Sequence, residues 1–288
     1  MADPRTRTAA AALAALLAIG AAGCANIAAV DRAWFDAAGE PVAMSLGCPP
    51  LAAVPGIPGA LAADRALSVV SWNIHRNGDP GWEQDLATFA AASDLVILQE
   101  ATLTTELRDL LWRAGRQWAH ADAWEFDGVV SGVLTASSVL PSDACVRRQA
   151  EPLLGLPKSA LVTWYRIDGR ADTLAVANVH SINFTFDLGA YGRQLDAVAD
   201  VLSTHRGPAI LAGDFNTWTP LRRAVLSDVA ARLGLAEAVP RRGERSRFLG
   251  LPADYLFVRG LLVNDVWVES VDSSDHAPIR ATLRFADP

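Results

Sequence analysis

The sequence predicts an α/β sandwich with mixed sheets. Short apolar, β-branched runs alternate with stretches of helical periodicity, which is the signature of a layered α/β fold. The connections mix tight turns with helices, which favours mixed sheets over a purely parallel, doubly wound one. A chain of 288 residues, 51% hydrophobic and 20% charged, is long enough for one such enzyme domain and has the composition of an ordinary globular protein.

The chain opens on Arg5 and Arg7, followed from Thr8 to Ala22 by almost nothing but Ala, Leu, Ile and Gly. This run is shorter than the roughly 20 residues a spanning helix needs. Charge, a short apolar run and then small residues is the order of a secretory signal, expected here over residues 1–23. Ala21-Ala22-Gly23-Cys24 also resembles the lipobox of bacterial lipoproteins, although a larger aliphatic residue usually stands at the place of Ala21. The expected location is therefore outside the cytoplasm, periplasmic or anchored to a membrane through a lipidated Cys24. An uncleaved anchor or a frayed alanine-rich helix is the alternative.

Residues 24–66 read as an N-terminal extension and linker, with Pro49, Pro50, Pro55, Gly56, Pro58 and Gly59 marking the connector. Residues 67–288 read as the folded domain. Within it Leu67–Ile74, Asp94–Gln99, Val129–Ala136, Ala160–Ile167, Thr173–Val179, Ala209–Ala212, Tyr255–Val258 and Ile279–Phe285 are expected strands. Glu83–Ala92, Thr105–Ala114, Tyr191–His205 and Leu221–Leu233 are expected helices; the third carries Leu195, Val198, Val201 and Leu202 at helical spacing. No internal repeat is present. With Cys24 set aside, Cys48 and Cys145 are the remaining thiols. An oxidising compartment would allow them one disulfide, but two unpaired buried residues are the expectation, and without histidines at ligand spacing they make no zinc site.

The formal net charge is −7. The leader holds two arginines and Asp3, a net of one positive charge, so its removal leaves −8. An acidic chain gains little long-range attraction to nucleic acid, which disfavours a tight DNA binder. A nuclease stays open, because a local basic rim suffices.

Polar residues recur in one kind of place, at the ends of the most apolar strands. Asn73 and His75 close the first, Glu100 the second, and Asn178 with His180 a third; Asp214 and Asn216 follow Ile210-Leu211-Ala212-Gly213. Asp254 stands just before Tyr255-Leu256-Phe257-Val258, and Asp275-His276 precede the last strand. A carboxylate at the end of a core strand is costly unless paired or bound to a metal, and several gathered at one end of two sheets make a concave polar site. Carboxylate and amide oxygens suit Mg²⁺ or Mn²⁺, and histidines beside them can stabilise charge on a phosphate or protonate a leaving oxygen. Singly, each has an ordinary reading. Asn73 could be a turn former, Asp214 and Asn216 a locally bonded turn, Asp275-His276 a plain loop, and His180 a satisfied core histidine.

Taken in order, WNIH, LQEA, NVHS, GDFN, DYLFVRG and SDHAPI resemble the endonuclease/exonuclease/phosphatase superfamily from about Leu67 to Phe285, with GDFN and SDHAP the most specific. Residues 80–285 also resemble a bacterial branch of unassigned substrate. The resemblance implies a DNase I-like, four-layer α/β/β/α sandwich with two mixed β-sheets. It further implies a metal-dependent phosphoesterase, with Mg²⁺ or Mn²⁺ held by Glu100, Asn73 and Asp275. Asp214 would orient or deprotonate water, Asn216 would hold a phosphate oxygen, and His276 would donate to the phosphate or activate the nucleophile, with Asp254 fixing its tautomer. His180 would act near the leaving group, which sets the chain apart from abasic-site endonucleases.

Substrate contacts are expected from Arg76, Asn178 and Arg245, the last in a loop with Arg241, Arg242 and Arg247 that is equally readable as a solvated loop. The expected reaction is hydrolysis of a phosphodiester by in-line attack of water, nuclease-type on nucleic acid or nucleotides. The alternative is a phospholipid head-group hydrolase or phosphatase at a membrane surface. A non-catalytic binding protein of the same fold is the third reading, disfavoured because every residue the chemistry needs is present.

Overall fold

The computed structural model of the chain describes residues 27–30, 32–37, 40–43, 48 and 59–286. The expected leader and Cys24 lie outside these residues. Strands β1 (Ile27–Ala29), β2 (Ala33–Ala37), β3 (Glu40–Ala43), β4 (Leu67–Asn73), β5 (Leu95–Thr102), β6 (Gln117–Phe126) and β7 (Val129–Ser137) come first. They are followed by β8 (Asp143–Ala150), β9 (Pro157–Arg166), β10 (Thr173–His180), β11 (Ala209–Asp214) and β12 (Ala236–Glu237). The last are β13 (Arg247–Phe248), β14 (Leu251–Pro252), β15 (Asp254–Arg259), β16 (Leu261–Val268) and β17 (Ile279–Phe285). Helices α1 (Trp82–Ala92), α2 (Thr105–Arg113), α3 (Leu188–Ser203) and α4 (Pro220–Arg232) connect them.

Two mixed sheets result. The first runs β16-β17-β4-β5-β7-β6-β2-β3, with β1 also on β6; the second runs β12-β15-β11-β10-β9-β8. Each has one parallel pair, β4 with β5 and β10 with β11. A helix bridges each pair, α1 in one and α3 in the other, because parallel neighbours need a long crossover.

Period-two alternation turns these sheets into layers. Val70, Trp72, Val96 and Leu98 face α1 and α2, where Leu86, Phe89 and Leu107 meet them. Val69, Leu95 and Ile97, from the same strands, face Val176, Ile210 and Leu256 of the second sheet. The outer side of that sheet packs Ala175, Ala177, Leu211 and Phe257 against Leu195, Val198 and Leu226 of α3 and α4. The order is α/β/β/α, as expected. Side-chain caps start three of the helices: Thr104 accepts from Leu107 N for α2, Asp187 from Gly189 N for α3, and Thr219 from Arg222 N for α4.

The structure departs from expectation in three respects. Residues before Leu67 do not only link: β1 and β2 hydrogen-bond to β6 and enlarge the first sheet. Strands β6, β8 and β16 were not expected, because their alanines, charges and Asn264-Asp265 dilute the strand signal that pairing supplies. Cys48 and Cys145, expected to be unpaired, form a disulfide with Cα atoms 4.5 Å apart. Among the described residues no helix is long and apolar enough to cross a membrane.

Candidate active site

The strand ends that carry the polar motifs converge at one edge of the sandwich. On β10 the inter-sheet face reads Val176, Asn178, His180; on β11 it reads Ile210, Ala212, Asp214; on β15 it reads Asp254, Leu256, Val258. The alternation that buries the core therefore delivers His180, Asp214 and Asp254 to the same floor. Register keeps them level, since His180 pairs with Asp214 and Asp214 with Asp254 across the sheet.

Glu100 breaks the alternation. Continuing β5 regularly, it would point toward the helices. Instead Leu98 pairs with Leu134 and Ala101 with Gly132, so Gln99 and Glu100 oppose one residue, and Glu100 takes a left-handed φ of 50°. This β-bulge re-aims the carboxylate at the site. Gly213 is the backbone counterpart: its φ is 144°, and a Cβ there would lie 1.9 Å from the Val179 carbonyl. Only glycine lets β11 approach β10 so closely beside Asp214.

Asp214 anchors the cluster. Its carboxylate accepts from Asn73 Nδ2 at 3.1 Å and from the Asn216 amide nitrogen at 3.0 Å. His276 donates through Nδ1 to Asp254 at 2.8 Å and brings Nε2 to 3.9 Å from Asp214. His180 lies between two carboxylates, with Nε2 at 3.5 Å from Asp214 and 3.6 Å from Glu100. Asn216 also donates to the Ser181 carbonyl. Behind it Arg222 is buried between the rings of Tyr191 and Trp218 and donates to the carbonyls of Ile182, Asn183, Thr185 and Asn216. It clamps together the two loops that leave β10 and β11.

Burial and charge drive these groups apart in acidity. Burial raises Asp214 to about 6, with Asp254 adding to the rise against His276. Burial would discharge His276, yet Asp254 and Asp214 outweigh it and hold the imidazole protonated, well above its ordinary range. His180 moves the other way: burial and the nearby Lys158 cation keep it neutral. Burial also opposes charge on Glu100, but Lys158 and other cations bring it down to about 2. Opposed shifts in one cavity divide acid and base roles between neighbours.

Asn73, Glu100, His180, Asp214, Asn216, Asp254 and His276 are thus brought together. Arg76 stands at the same site, with Nε 3.6 Å from Glu100, on a turn in which His75, Arg76 and Asn77 are all left-handed. Asp275 is on the rim, 3.9 Å from His75 Nδ1. Two substrate contacts are corrected. Asn178 is fully buried and its amide joins the sheets, accepting from Gln99 and donating to the carbonyls of Leu98 and Leu134. Arg245 is engaged by Glu237 at 2.9 Å and stacked on Tyr255.

Lys158 was missed. It enters from the start of β9 and donates to His180 Nε2 at 3.0 Å, with Nζ 3.9 Å from Glu100. An ammonium can only donate, so the neutral His180 carries its proton on Nδ1. One signal could have found it: it is the sole lysine of a chain whose other basic residues are all arginine.

The donor set suits a hard divalent cation on the Glu100 side. Glu100 is ionised and accepts no hydrogen bond among the described residues, its cationic neighbours standing at 3.6 Å or beyond; Asn73 Oδ1 adds an amide oxygen beside the cluster. Asp214, Asp254 and His276 also place ligand atoms within 4.8 Å of one another. There, however, the protonated His276 already stands between the two carboxylates, and a cation would have to displace its proton.

Known proteins share the family and the fold. A family model described as the endonuclease/exonuclease/phosphatase family matches residues 70–276. A UPF0294 protein of Yersinia pseudotuberculosis is 41% identical over 214 residues, covering 74% of this chain and 82% of its own. One of Vibrio campbellii is 36% identical over 233 residues, covering 80% and 82%. Among solved structures, an endonuclease/exonuclease/phosphatase from Beutenbergia cavernae superposes with a TM-score of 0.63 at 23% identity, over 77% of this chain and 72% of that one. The human Nocturnin catalytic domain with bound sulfate gives 0.62 at 17%, over 79% and 97%.

Proposed function

The chain belongs to the endonuclease/exonuclease/phosphatase family and is a phosphoesterase-type hydrolase, and on that premise we propose that it hydrolyses a phosphodiester by in-line attack of water, without a covalent enzyme intermediate. The observation that carries this is the split in acidity between Asp214 and His276 across 3.9 Å. Asp214, ionised above about pH 6, takes the proton of the attacking water as its oxygen bonds to phosphorus. His276, held as a cation by Asp254, donates through Nε2 to a non-bridging phosphate oxygen, where charge grows. Asn216 positions Asp214 through its backbone and orients the phosphate. As the opposite P–O bond breaks, the Lys158–His180 pair neutralises the leaving oxygen.

A divalent cation, Mg²⁺ or Mn²⁺, would be held by Glu100 and Asn73, with Asp275 on the outer side, and would polarise the phosphate as a Lewis acid. Arg76 stands where it can bridge from Glu100 to an incoming phosphate. The Cys48–Cys145 disulfide supports export to an oxidising compartment, in keeping with the leader and with an anchor at Cys24.

The test is turnover of bis-p-nitrophenyl phosphate by the full chain with Mg²⁺ or Mn²⁺ and with EDTA. Glu100→Ala and His276→Ala should each lose about a thousandfold in kcat. Undiminished turnover in both variants would overturn the assignment.

A further inference from the structure

The rim of the site differs in character from its floor. Three loops stand at the site end of the second sheet: the β8–β9 turn, the segment 181–187 after β10, and the β13–β14 hairpin ahead of β15. Each carries large apolar side chains into solvent. Leu153 and Leu249 are both 74% exposed and Phe186 is 88% exposed, with Leu154, Phe184 and Phe248 beside them in their loops. The loops at the opposite end of the same sheet hold Asp168, Arg170, Asp172, His205 and Arg206 instead.

Turn chemistry does not account for the apolar tips. Leu249 at φ 49° and Gly250 at φ 84° form the left-handed pair of a two-residue hairpin. Asn-Gly or Asp-Gly is preferred there, and a leucine resists the conformation. The β8–β9 turn carries a second Leu-Gly, Leu154-Gly155, with the glycine at φ 68°. Folding gains little from side chains that stay in water. The arginines nearby are also engaged: Arg245 by Glu237, Arg247 by the Gly250 carbonyl, and Arg193 by Asp187. A rim for nucleic acid needs cations to meet the flanking phosphates; along the second sheet the tips are Leu and Phe, with Arg76 an exposed cation across the site.

We propose that this rim docks the enzyme on a phospholipid surface, so that the substrate is a head-group phosphodiester. The proposal rests on the phosphodiesterase reading above. A charged floor flanked along the second sheet by apolar tips matches the order of a membrane surface. The tips enter the acyl boundary, about 5–10 Å deep, while a phosphate at head-group level meets Glu100, His180 and His276. With the chain at −7, the fitting surface is zwitterionic rather than anionic.

The test is flotation of the full chain with phosphatidylcholine vesicles, alongside turnover of soluble bis-p-nitrophenyl phosphate. The variant combines Leu153→Ser, Phe186→Ser and Leu249→Asn, the last a residue suited to its left-handed turn. It shares the N-terminal leader with the parent, so a difference between the two reads the rim. The parent should float, the variant should bind vesicles at least tenfold more weakly, and both should turn over the soluble ester alike. A parent that stays in the lipid-free fraction, or a variant that floats equally well, overturns the docking proposal while soluble turnover still upholds the chemistry. Flotation without soluble turnover overturns the phosphodiesterase reading and leaves the docking intact.

Discussion

Two histidine–aspartate pairs among the described residues have the same length and opposite use. His276 Nδ1 meets Asp254 at 2.8 Å, and His120 Nδ1 meets Asp122 at 2.8 Å. His120 and Asp122 are fully buried; Nε2 of the ring meets the Ala101 carbonyl, and Asp122 also accepts from Trp34 and Arg32. Every polar atom of that ring has a partner, and the pair ties β6 to β5, beyond the intervening β7, on one side and to β2 on the other. Among the described residues His276 leaves Nε2 without a hydrogen bond, 3.9 Å from Asp214, on a side chain that is 17% exposed. What separates the fastener from the proposed catalytic dyad is therefore the second ring nitrogen.

The sharpest way to break this comparison is to remove both rings. His276→Ala should cost about a thousandfold or more in kcat with little change in melting temperature. His120→Ala should leave kcat per folded molecule unchanged and lose about 2–4 kcal/mol of stability, read from denaturant unfolding, because a fully buried Asp122 keeps Trp34 and Arg32 but loses one of its partners. If His120→Ala abolished turnover in folded protein, the distinction would collapse.

The aspartates sharpen it further. Asp254→Asn should lower kcat about a hundredfold by releasing the orientation and charge of His276. Asp122→Asn should act on stability alone.

Asp214 supplies a smaller effect with a defined sign. Its folded pKa of about 6 lies above the ordinary aspartate value, so the folded state favours the protonated form. Its stabilising contribution is present at low pH and is lost as pH rises through about 6. In EDTA, Asp214→Asn should gain roughly 2–3 kcal/mol over the parent above pH 6, with the gap closing below pH 4. A pH-independent difference would remove the carboxylate from the cause. The smallest expected change is Arg32→Ala, whose half-exposed guanidinium adds to Asp122 at 3.4 Å; about 1 kcal/mol or less should be lost.

Glu100 and Lys158 show how far the site could be read beforehand. The motif order placed Glu100 in the site, but the reason it points there is a bulge on β5, and a bulge depends on the partner strand opposing it. Lys158 belongs to no motif; it reaches His180 because β9 pairs antiparallel with β10 and delivers its first residues to the end of that strand. Asn178 and Arg245 show the reverse error. Their residue types suit a phosphate, and their neighbours Gln99 and Glu237 claim them first.

The sequence by itself determined the layered α/β class, the extents of the four helices to within a few residues, and the seven polar side chains of the floor. Those follow from local period and from polar residues placed where apolar strands end, which are properties of short stretches. Only the tertiary structure decided which polar groups face the cavity and which fasten the sheets, that Cys48 and Cys145 join, and that β1 to β3 extend the first sheet. These outcomes depend on partners distant along the chain: the disulfide spans 97 residues, and Asn73 meets Asp214 across 141. A charged or polar group takes its role from whichever neighbour first satisfies it, and that neighbour is chosen by the packing of the two sheets.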